Sequence, residues 1–436
     1  MERIVSLTKR RGFVYPGSDI YGGLAGTWDY GPLGALMKKN IKDEWWKDMV
    51  QLRDDMVGLD AAVMMNPKAW EASGHVDSFA DPLIECKICH QRFRADKSDE
   101  IAAHEATHKG KKVAWTEPRQ FNLLVEAYLG VIEGEKQKIF LRGEITNGVS
   151  VNFKNVVDST RIKIPFGIAQ IGKAFRNEIT PSNFTFRSRE FEQMETQFYI
   201  KPEKAEAKKW YEYWKQNRME WYTSLGIKKI NLRFYDHAPL ERAHYAQDAC
   251  DLEYHSPFGW AEFMGIHHRG DWDLRRHQEF SGRDLTYKDE TTGESFLPWD
   301  IETSAGVDRS LLFFLIDAYQ EDENRTVLKL HPKLAPYQAA VFPLLGNKPL
   351  LIEKAREIYH ELKKDFMVAW DDRGNVGKRY YSQDEIGTPY CITVDFDTLE
   401  GAKRPKDTAT VRDRDTMKQE NVAVAELADW LKTKLR

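Results

Sequence analysis

The chain has little cysteine and no long apolar run. Its 436 residues include 4 cysteines, too few for a disulfide framework in a chain of this length. No run of 18 apolar residues occurs, so the sequence predicts no transmembrane helix. The opening stretch MERIVSLTKRRGFVYPG lacks the apolar core of a signal peptide. We therefore expect a cytoplasmic protein.

Charge of one sign is not in excess either. The sequence has 64 lysines and arginines against 68 aspartates and glutamates, a formal net charge of −4. Proteins that attract polyanions through their overall field are strongly basic, so any polyanion site here has to be local. The length of 436 residues predicts two or three domains, each with its own core.

The order of strand-like and helix-like segments predicts an α+β fold. After DYGPLG, apolar residues recur at helical spacing through Leu36, Ile41 and Trp45. Later strand-like runs have long connections, which favours an antiparallel or mixed sheet; they read IAQIGKAFRNE, FEQMETQFYI, GWAEFMGI and LPWDIETSAG. The more polar segment at about 81–118 is interpreted as an insertion.

A second domain is predicted to follow LKLHPKLAPYQAAVFPLL, where prolines flank a short loop. From Val341 onward, strand-like and helix-like segments alternate, which is typical of a small α/β domain of roughly a hundred residues. The sequence thus predicts a first domain over 1–330 and a second over 331–436.

The segment FRNEITPSNFTFRSREF, residues 175–191, is a candidate anion site. Side chains two apart on a strand share a face, so Arg176 is predicted to point with Glu178, and Arg189 with Phe191. Arginine makes fixed bidentate contacts to phosphate, and a phenylalanine ring stacks on a base. A surface hairpin with cross-strand ion pairs would carry the same residues.

A second charged segment, ETSAGVDRSLLFFLIDAY, favours the anion site. Strand alternation places Glu302 and Ser304 on one face, and Gly306 then leads to Arg309 in the first turn of an apolar helix. The N-terminus of a helix presents backbone N–H groups to an anion, and an arginine there adds to them. Together the two segments predict a phosphate and purine site.

These segments resemble the three motifs of class II aminoacyl-tRNA synthetases, and their flanks resemble the homodimeric glycyl-tRNA synthetase family. DYGPLG with its helix is similar to motif 1, GKAFRNE through TFRSREFEQME to motif 2, and SAGVDRSLL to motif 3. The resemblance continues through SDIYGG, NFKNV, LAPYQAAVFPL, DDRGNVGKRYYSQDEIGTP and TVRDRDTM. It implies an antiparallel class II sheet flanked by helices, with an anticodon-binding domain over 331–436.

The resemblance also implies a two-step reaction in a homodimer. Glycine and ATP, with Mg²⁺, would form glycyl-adenylate, and the 3′ end of tRNA(Gly) would then accept the glycyl group. The catalytic candidates are Arg176 at the α-phosphate and Arg309 at the γ-phosphate, which would act by positioning and charge. The implied ATP site comprises Arg176, Asn177, Glu178, Phe186, Arg187, Arg189, Phe191, Glu262, Phe263, Gly306, Asp308 and Arg309.

Glycine has no side chain, so recognition must use its ammonium group and exclude larger amino acids. By the resemblance, carboxylates would face the ammonium group, and Ser304 with Ala305 and Gly306 would narrow the space beside the α-carbon. Arg94 is included because the family carries an arginine after the cysteine pair. The implied glycine site comprises Arg94, Glu144, Glu192, Gln193, Glu302, Ser304 and Gly306.

Four residues of the insertion have the spacing of a structural zinc site. Cys86, Cys89, His104 and His108 form C-x2-C-x14-H-x3-H. Zinc closed by these four side chains would pin a segment that has no obvious core. His90 is an alternative ligand, and fortuitous spacing is the other interpretation.

Three positions depart from the family pattern. Gly143 and Thr303 stand where RPETAQG and EPSAG carry proline, which frees the backbone φ there. Ser182 stands where the motif 2 loop often carries arginine. The departures keep open one alternative, a synthetase-like RNA-binding or regulatory protein without adenylate formation. A second alternative is an ATP-dependent ligase that glycylates an acceptor other than tRNA.

In the last domain, the KRYYSQ segment combines Lys378 and Arg379 with two tyrosines. Cationic and aromatic side chains of this kind bind single-stranded RNA loops through phosphate contacts and stacking. A solvated helix face has the same composition, so the segment does not identify base-reading residues.

Overall fold

The computed structural model describes residues 1–132, 134–243, 245–322 and 325–435. No helix among these residues is long and apolar enough to span a bilayer. The described helices are α1 (Glu2–Arg11), α2 (Pro32–Trp46), α3 (Pro67–Ala72), α4 (His75–Ser78), α5 (Ser98–Thr107), α6 (Thr146–Thr160), α7 (Lys204–Ser224), α8 (Trp272–Ser281), α9 (Val307–Ala318), α10 (Pro349–Leu362), α11 (Val376–Ile386), α12 (Phe396–Glu400) and α13 (Leu427–Lys434).

The strands fall into one large sheet, one five-stranded sheet and several small ones. In chain order they are β1 (Val14–Pro16), β2 (Trp28–Tyr30), β3 (Met56–Gly58), β4 (Met64–Met65), β5 (Ala80–Glu85), β6 (Arg92–Arg94), β7 (Arg119–Asn122), β8 (Val125–Leu129), β9 (Gln137–Leu141), β10 (Phe166–Phe175), β11 (Glu190–Ile200), β12 (Leu232–Asp236), β13 (Asp248–Ser256), β14 (Gly259–Gly270), β15 (Tyr287–Lys288), β16 (Ser295–Phe296), β17 (Trp299–Gly306), β18 (Tyr319–Asp322), β19 (Arg325–Leu328), β20 (Ala339–Pro343), β21 (Val368–Trp370), β22 (Tyr390–Val394), β23 (Thr408–Asp413) and β24 (Gln419–Ala423).

The large sheet has seven strands in the order β12-β13-β14-β17-β11-β10-β3. All neighbours are antiparallel except β10 and β3, which run parallel. The expected antiparallel or mixed sheet is therefore confirmed. Strands β11 and β17 are neighbours in this sheet. Residues far apart in sequence, such as Gln197 and Glu302, therefore lie directly opposite each other.

One face of this sheet packs against helices. The predicted helix after DYGPLG is confirmed as α2, which begins at Pro32 because proline is tolerated in the first helical turn. Helix α9 is apolar almost all round and is correspondingly buried. Alternate strand residues, including Met194, Ile301 and Ala305, join the same core. The opposite alternation leaves the other face of the central strands for polar side chains.

The C-terminal segments form a five-stranded sheet in the order β21-β20-β22-β23-β24, with their own apolar core. The predicted alternation of strands and helices is confirmed from β20 to β22. The expectation that Arg379 contacts RNA is wrong, because its buried guanidinium donates to the backbone carbonyls of Arg373 and Gly374 at 3.0 and 2.8 Å. Lys378 and Tyr381 are exposed on the same helix, α11.

Candidate functional site

A cavity of about 300 Å³ lies over the polar face of β11, β14 and β17. It continues past the end of β10 and reaches the start of α9. Of the expected ATP residues, Arg176, Glu178, Phe186, Arg187, Phe191, Glu262, Gly306, Asp308 and Arg309 line it. Of the expected glycine residues, Glu144, Gln193, Glu302, Ser304 and Gly306 line it.

One end of the cavity carries arginines beside aromatic rings. The Arg176 guanidinium lies 5.3 Å from the centre of the Phe191 ring, and its Nε donates to the Gly143 carbonyl at 3.0 Å. The Arg309 guanidinium lies 4.5 Å from the Phe186 ring centre. These partners leave most guanidinium N–H groups of Arg176 available, which suits an anionic ligand next to a planar group.

The expected strand geometry around Arg176 needs a correction. Strand β10 ends at Phe175, so Arg176 and Glu178 lie on the following loop rather than on a shared strand face. The loop returns as a short 3₁₀ helix over Phe184–Phe186. Glu178 pairs there with Arg187, whose Nε donates to its carboxylate at 2.6 Å. This ion pair, rather than a shared strand face with Arg176, holds Glu178 in place.

The other end of the cavity carries three buried carboxylates, those of Glu144, Glu195 and Glu302. Glu195 and Glu302 come from neighbouring strands, β11 and β17, and the Thr146 hydroxyl lies 2.9 Å from both. Glu302 also accepts from Arg269 at 3.0 Å and contacts His267 at 2.8 Å. A buried carboxylate is stable only when it is paired or neutral.

The three carboxylates differ in pKa. Burial raises the pKa of Glu302, but Arg269 and then His267 outweigh burial and hold it below its ordinary value. For Glu144, His75 and Arg269 outweigh burial and lower the pKa to about 2. Burial, reinforced by the charges of Glu302 and Glu144, raises the pKa of Glu195 to about 8. Near neutral pH the trio therefore holds two negative charges and one proton.

The raised pKa of Glu195 assigns that proton to Glu195, and its hydrogen bonds accommodate it. Oε1 of Glu195 accepts from Ser304 Oγ at 2.5 Å and from Gln193 Nε2 at 2.8 Å. The hydroxyl of Thr146 has one hydrogen, which cannot serve both carboxylates it contacts. A protonated Glu195 Oε2 donates to Thr146, and Thr146 then donates to Glu302. Thr146 can serve both carboxylates only when one of them is protonated, which agrees with the raised pKa of Glu195.

Sequence reasoning missed Glu195, His267, Thr146 and Tyr245. Strand alternation from Phe191 points to Gln193 and Glu195, so Glu195 carried a usable signal. His267 lies beyond the bulge in β14, so the same rule starting from Glu262 does not select it. Tyr245 lies in an irregular connection, where no periodic pattern exists. Its ring faces the Arg269 guanidinium, 3.8 Å from the ring centre.

Glu192 and Phe263 lie outside the cavity lining. Glu192 is on the helix face of β11, where its carboxylate pairs with Lys38 and Lys42 of α2 at 2.8 and 2.9 Å. Glu262 and Phe263 are both expected in the ATP site, but successive residues of a strand point to opposite faces of the sheet. A bulge in β14 opposite β13 turns Phe263 into the core, against Tyr222.

Three further residues of the expected sites are held elsewhere. Arg189 donates to the carbonyls of Ala25 and Glu178 at 2.8 and 3.0 Å. Asn177 donates its backbone N–H to the Leu123 carbonyl at 2.8 Å. Arg94 pairs with Asp81 at 2.9 Å in the insertion. Asp308 lines the cavity, but its carboxylate accepts a hydrogen bond from Lys38 of α2 at 2.7 Å and so takes part in a buried ion pair.

Gly143 and Ser182, two of the departures from the family pattern, have simple structural settings, and so has Ala305 of the expected steric wall. Gly143 lies against Phe79, whose ring would be 3.0 Å from an added Cβ, and supplies the carbonyl that Arg176 contacts. Ala305, expected beside the glycine α-carbon, instead faces the core. Ser182 lies on the loop after β10 and pairs with the backbone of Arg187.

The insertion carries a compact cysteine and histidine cluster. Cys86 Sγ lies 3.7 Å from His108 Nε2, Cys89 Sγ lies 3.5 Å from His104 Nε2, and the two Nε2 atoms are 3.1 Å apart. Tetrahedral zinc requires separations of about 3.6 Å between sulfur and nitrogen and about 3.3 Å between nitrogens. The four donors therefore fit zinc. His90 pairs with Glu85 at 2.9 Å and is not in the cluster.

Two sequence families match this chain. The family described as the tRNA synthetase class II core domain (G, H, P, S and T) matches residues 130–319. The family described as the anticodon binding domain matches residues 338–434. Fold, cavity and matches together define a class II synthetase core followed by an anticodon-binding domain.

Full-length relatives narrow the class further. A glycine–tRNA ligase of Geobacillus kaustophilus (strain HTA426) is 51% identical over 464 residues, covering 100% of this chain and 99% of the relative. Glycine–tRNA ligases of Alkaliphilus oremlandii (strain OhILAs) and Thermobifida fusca (strain YX) are 48% and 49% identical, each covering 100% of this chain and 98% of the relative. The chain belongs to the glycine–tRNA ligase family.

Proposed function

We propose that the protein activates glycine with ATP to glycyl-adenylate and transfers the glycyl group to the 3′ end of tRNA(Gly). The observation that carries this proposal is the division of one cavity into an acidic end and an arginine end. An ammonium group fits the first, and a triphosphate beside a stacked base fits the second. The carboxylate of glycine and the α-phosphate of ATP would meet between the two ends.

The acidic end binds and orients glycine. The negative charges of Glu144 and Glu302 attract the ammonium group, and the carboxylate of glycine is repelled toward the arginine end. Ser304, fixed by its hydrogen bond to Glu195, narrows the space beside the α-carbon. A steric wall is required, because attraction alone distinguishes one methylene by only about 1–3 kcal/mol.

The arginine end carries the nucleotide. A glycine carboxylate oxygen forms a bond to the α-phosphorus as the bond to pyrophosphate breaks. Arg176 is placed to neutralise the charge that develops at the α-phosphate, and Arg309 to hold the γ-phosphate. Phe191 and Phe186 supply ring faces for the base. No residue acts as a nucleophile in this step, so positioning and charge supply the catalysis.

Mg²⁺ with ATP is part of the proposal. Glu262 is the half-exposed carboxylate at the arginine end, 2.8 Å from Arg309. An oxygen ligand of this kind, together with phosphate oxygens, suits Mg²⁺. Bound there, the ion would share the charge of the triphosphate.

We also propose one structural zinc ion held by Cys86, Cys89, His104 and His108. The support is the geometry of the four donor atoms, which lie within 4.8 Å of one another. The insertion needs such a tie, because Ile84 and Cys86 are the apolar residues buried within 81–118. Metal analysis of the purified protein is expected to find one zinc per chain. A double variant of the two cysteines to serine is expected to contain none.

The proposed organisation follows the resemblance. The catalytic domain spans 1–330, with the insertion at about 81–118, and the anticodon-binding domain spans 331–436. The protein is proposed to be a cytoplasmic homodimer that binds tRNA(Gly). Light scattering is expected to give twice the 50.7 kDa mass of the chain. A monomer that still charges tRNA would contradict the dimer.

The test of the proposed function is charging of tRNA with labelled glycine. Purified protein, ATP, Mg²⁺ and unfractionated tRNA are expected to give glycyl-tRNA, and omission of ATP is the control. Glycine activation without charging would favour a ligase with another acceptor. Failure of both steps in a folded protein would favour an RNA-binding protein that has lost adenylate formation.

A further inference from the structure

The insertion contacts the arginine end of the cavity through a chain of ion pairs. Asp81 Oδ2 lies 2.9 Å from Arg94 Nη1 and 3.6 Å from Arg187 Nη2. Arg187 in turn donates to Glu178 at 2.6 Å, and both residues line the cavity. Asp81 is therefore a buried carboxylate that joins an arginine of the insertion to an arginine of the site.

The same strand pair leads to the cysteine and histidine cluster. Asp81 is on β5 and Arg94 is on β6, and the two strands pair in antiparallel register with Leu83 opposite Arg94. Cys86 follows β5 directly, and Cys89 lies in the turn before β6. A metal ion bound by these cysteines would fix the turn, and with it the position of Arg94 relative to Asp81.

A second contact ties the same elements together. Thr180, on the loop that carries Glu178 and Arg187, donates its hydroxyl to the carbonyl of Arg92 on β6 at 3.1 Å. The loop over the cavity therefore rests on the hairpin that the cluster closes. With little apolar core of its own, the hairpin depends on such ties for a fixed position.

We propose that Asp81 is a positioning residue for the nucleotide end of the site, and that the metal-bound turn sets its position. Asp81 orients Arg187 over the cavity, and Arg94 holds Asp81. The inference rests on the proposed function, because it names what the arginine end binds. The resemblance assigns Arg94 to glycine instead, so the two assignments predict different substrate effects.

The test compares Asp81→Asn and Arg94→Gln with a matched control, Asp96→Asn. Asp96 is the other partner of Arg94, at 2.6 Å, but it does not contact Arg187. Loss of one charge from this buried chain of ion pairs is expected to raise the KM for ATP about tenfold in the first two variants. The KM for glycine is expected to stay within about twofold in all three, and Asp96→Asn is expected to behave like wild type.

Calorimetric titration with ATP separates this inference from the proposed function. If wild-type protein binds ATP but does not activate glycine, the proposed function fails while the Kd for ATP still tests Asp81. Removal of zinc by a chelator, confirmed by metal analysis, is expected to weaken ATP binding in wild type and to add little in Asp81→Asn. Circular dichroism checks that each variant is folded.

Three results would overturn the inference. An unchanged or lower KM and Kd for ATP in Asp81→Asn would mean that the charge of Asp81 does not orient Arg187. A rise in the glycine KM of Arg94→Gln without a rise for ATP would return Arg94 to the glycine site. Equal effects of Asp96→Asn and Asp81→Asn would indicate general loosening of the insertion.

Discussion

The two ends of the cavity are built differently. The acidic end is carried mainly by the central strands β11, β14 and β17. Its carboxylates are buried, and those of Glu195 and Glu302 are joined through the Thr146 hydroxyl. The arginine end is carried by the loop after β10 and by the first turn of α9, where guanidinium groups are partly exposed. The acidic end is thus fixed before a ligand arrives, whereas the arginine end has donors left for one.

Two arginines illustrate the difference. Arg269 is buried at the acidic end and is fully used, with Asp273 at 2.7 Å and Glu302 at 3.0 Å. Arg176, at the other end, makes one hydrogen bond to a backbone carbonyl and faces aromatic rings. We infer that Arg269 serves the protein's own carboxylates and Arg176 serves the ligand. Variants at each end should therefore affect different substrates.

The largest effect is expected from Arg176→Ala. Loss of a donor aimed at developing charge lowers catalysis by about 10²–10³-fold, and the KM for ATP should rise more than that for glycine. Kinetics of pyrophosphate exchange measure both. Arg275→Ala, which removes a half-exposed arginine of α8, is the control and should retain wild-type rates. A normal exchange rate in Arg176→Ala would remove this arginine from the site.

Glu302→Gln, at the acidic end, is expected to affect glycine rather than ATP. The ammonium group loses one of two negative charges in a buried site, so the KM for glycine is expected to rise about 100-fold. The Kd for ATP should remain within about twofold of the wild-type value, because the arginine end is unchanged. Weaker ATP binding in a folded variant would show that the two ends are not independent.

Ser304→Ala should lower selectivity rather than rate. Removing the hydroxyl opens room for one methyl group, and the preference for glycine over alanine is expected to fall about tenfold. Ser310→Ala is the matched control, since Ser310 of α9 donates to the Gly306 carbonyl at the end of β17 and does not line the cavity. Unchanged selectivity in Ser304→Ala would place the steric wall elsewhere.

The smallest effect concerns the proton on Glu195. Its pKa is raised from 4.5 to about 8, so the folded protein retains a proton that the unfolded chain releases. The contribution of Glu195 to stability therefore falls as pH rises between those values. Glu195→Gln cannot ionise, so its stability relative to wild type should improve progressively as pH rises from 5 to 8.

Thermal unfolding across that pH range measures the difference between Glu195→Gln and wild type. The control is Glu253→Gln, which changes a carboxylate on β13 that pairs with Arg233 outside the cavity. Gln197→Glu would be unsuitable, because it adds a charge to the same cluster. A parallel pH dependence of Glu195→Gln and wild type would mean that Glu195 is ionised in the folded protein.

Much of the acidic end could be predicted from strand alternation. Glu302 and Ser304 share a face of β17, and the same rule starting from Phe191 selects Gln193 and Glu195 and rejects Glu192. The resemblance, which assigned Glu192 to glycine, was less informative here than the period of two. Glu144 comes from a loop before α6, and its place beside the two strands depends on tertiary packing.

The arginine end was less predictable, because no period applies beyond the end of a strand. The sequence predicted which residues belong together, but Arg189 turns to backbone carbonyls and Phe263 is turned into the core at a bulge. The cysteine and histidine spacing, in contrast, predicted a cluster correctly, because donors four apart on α5 share a helix face. Short-range spacing was reliable, and irregular loops were not.

The most direct test of the divided cavity is amino-acid-dependent ATP/pyrophosphate exchange on the purified protein without tRNA. Glycine, alanine and serine are compared at equal concentrations. We expect exchange with glycine and little with alanine or serine, because the acidic end is proposed to bind the ammonium group and Ser304 to limit the space beside the α-carbon. No exchange with any of them, from a folded protein that binds ATP, would contradict the proposal that the two ends form one active site.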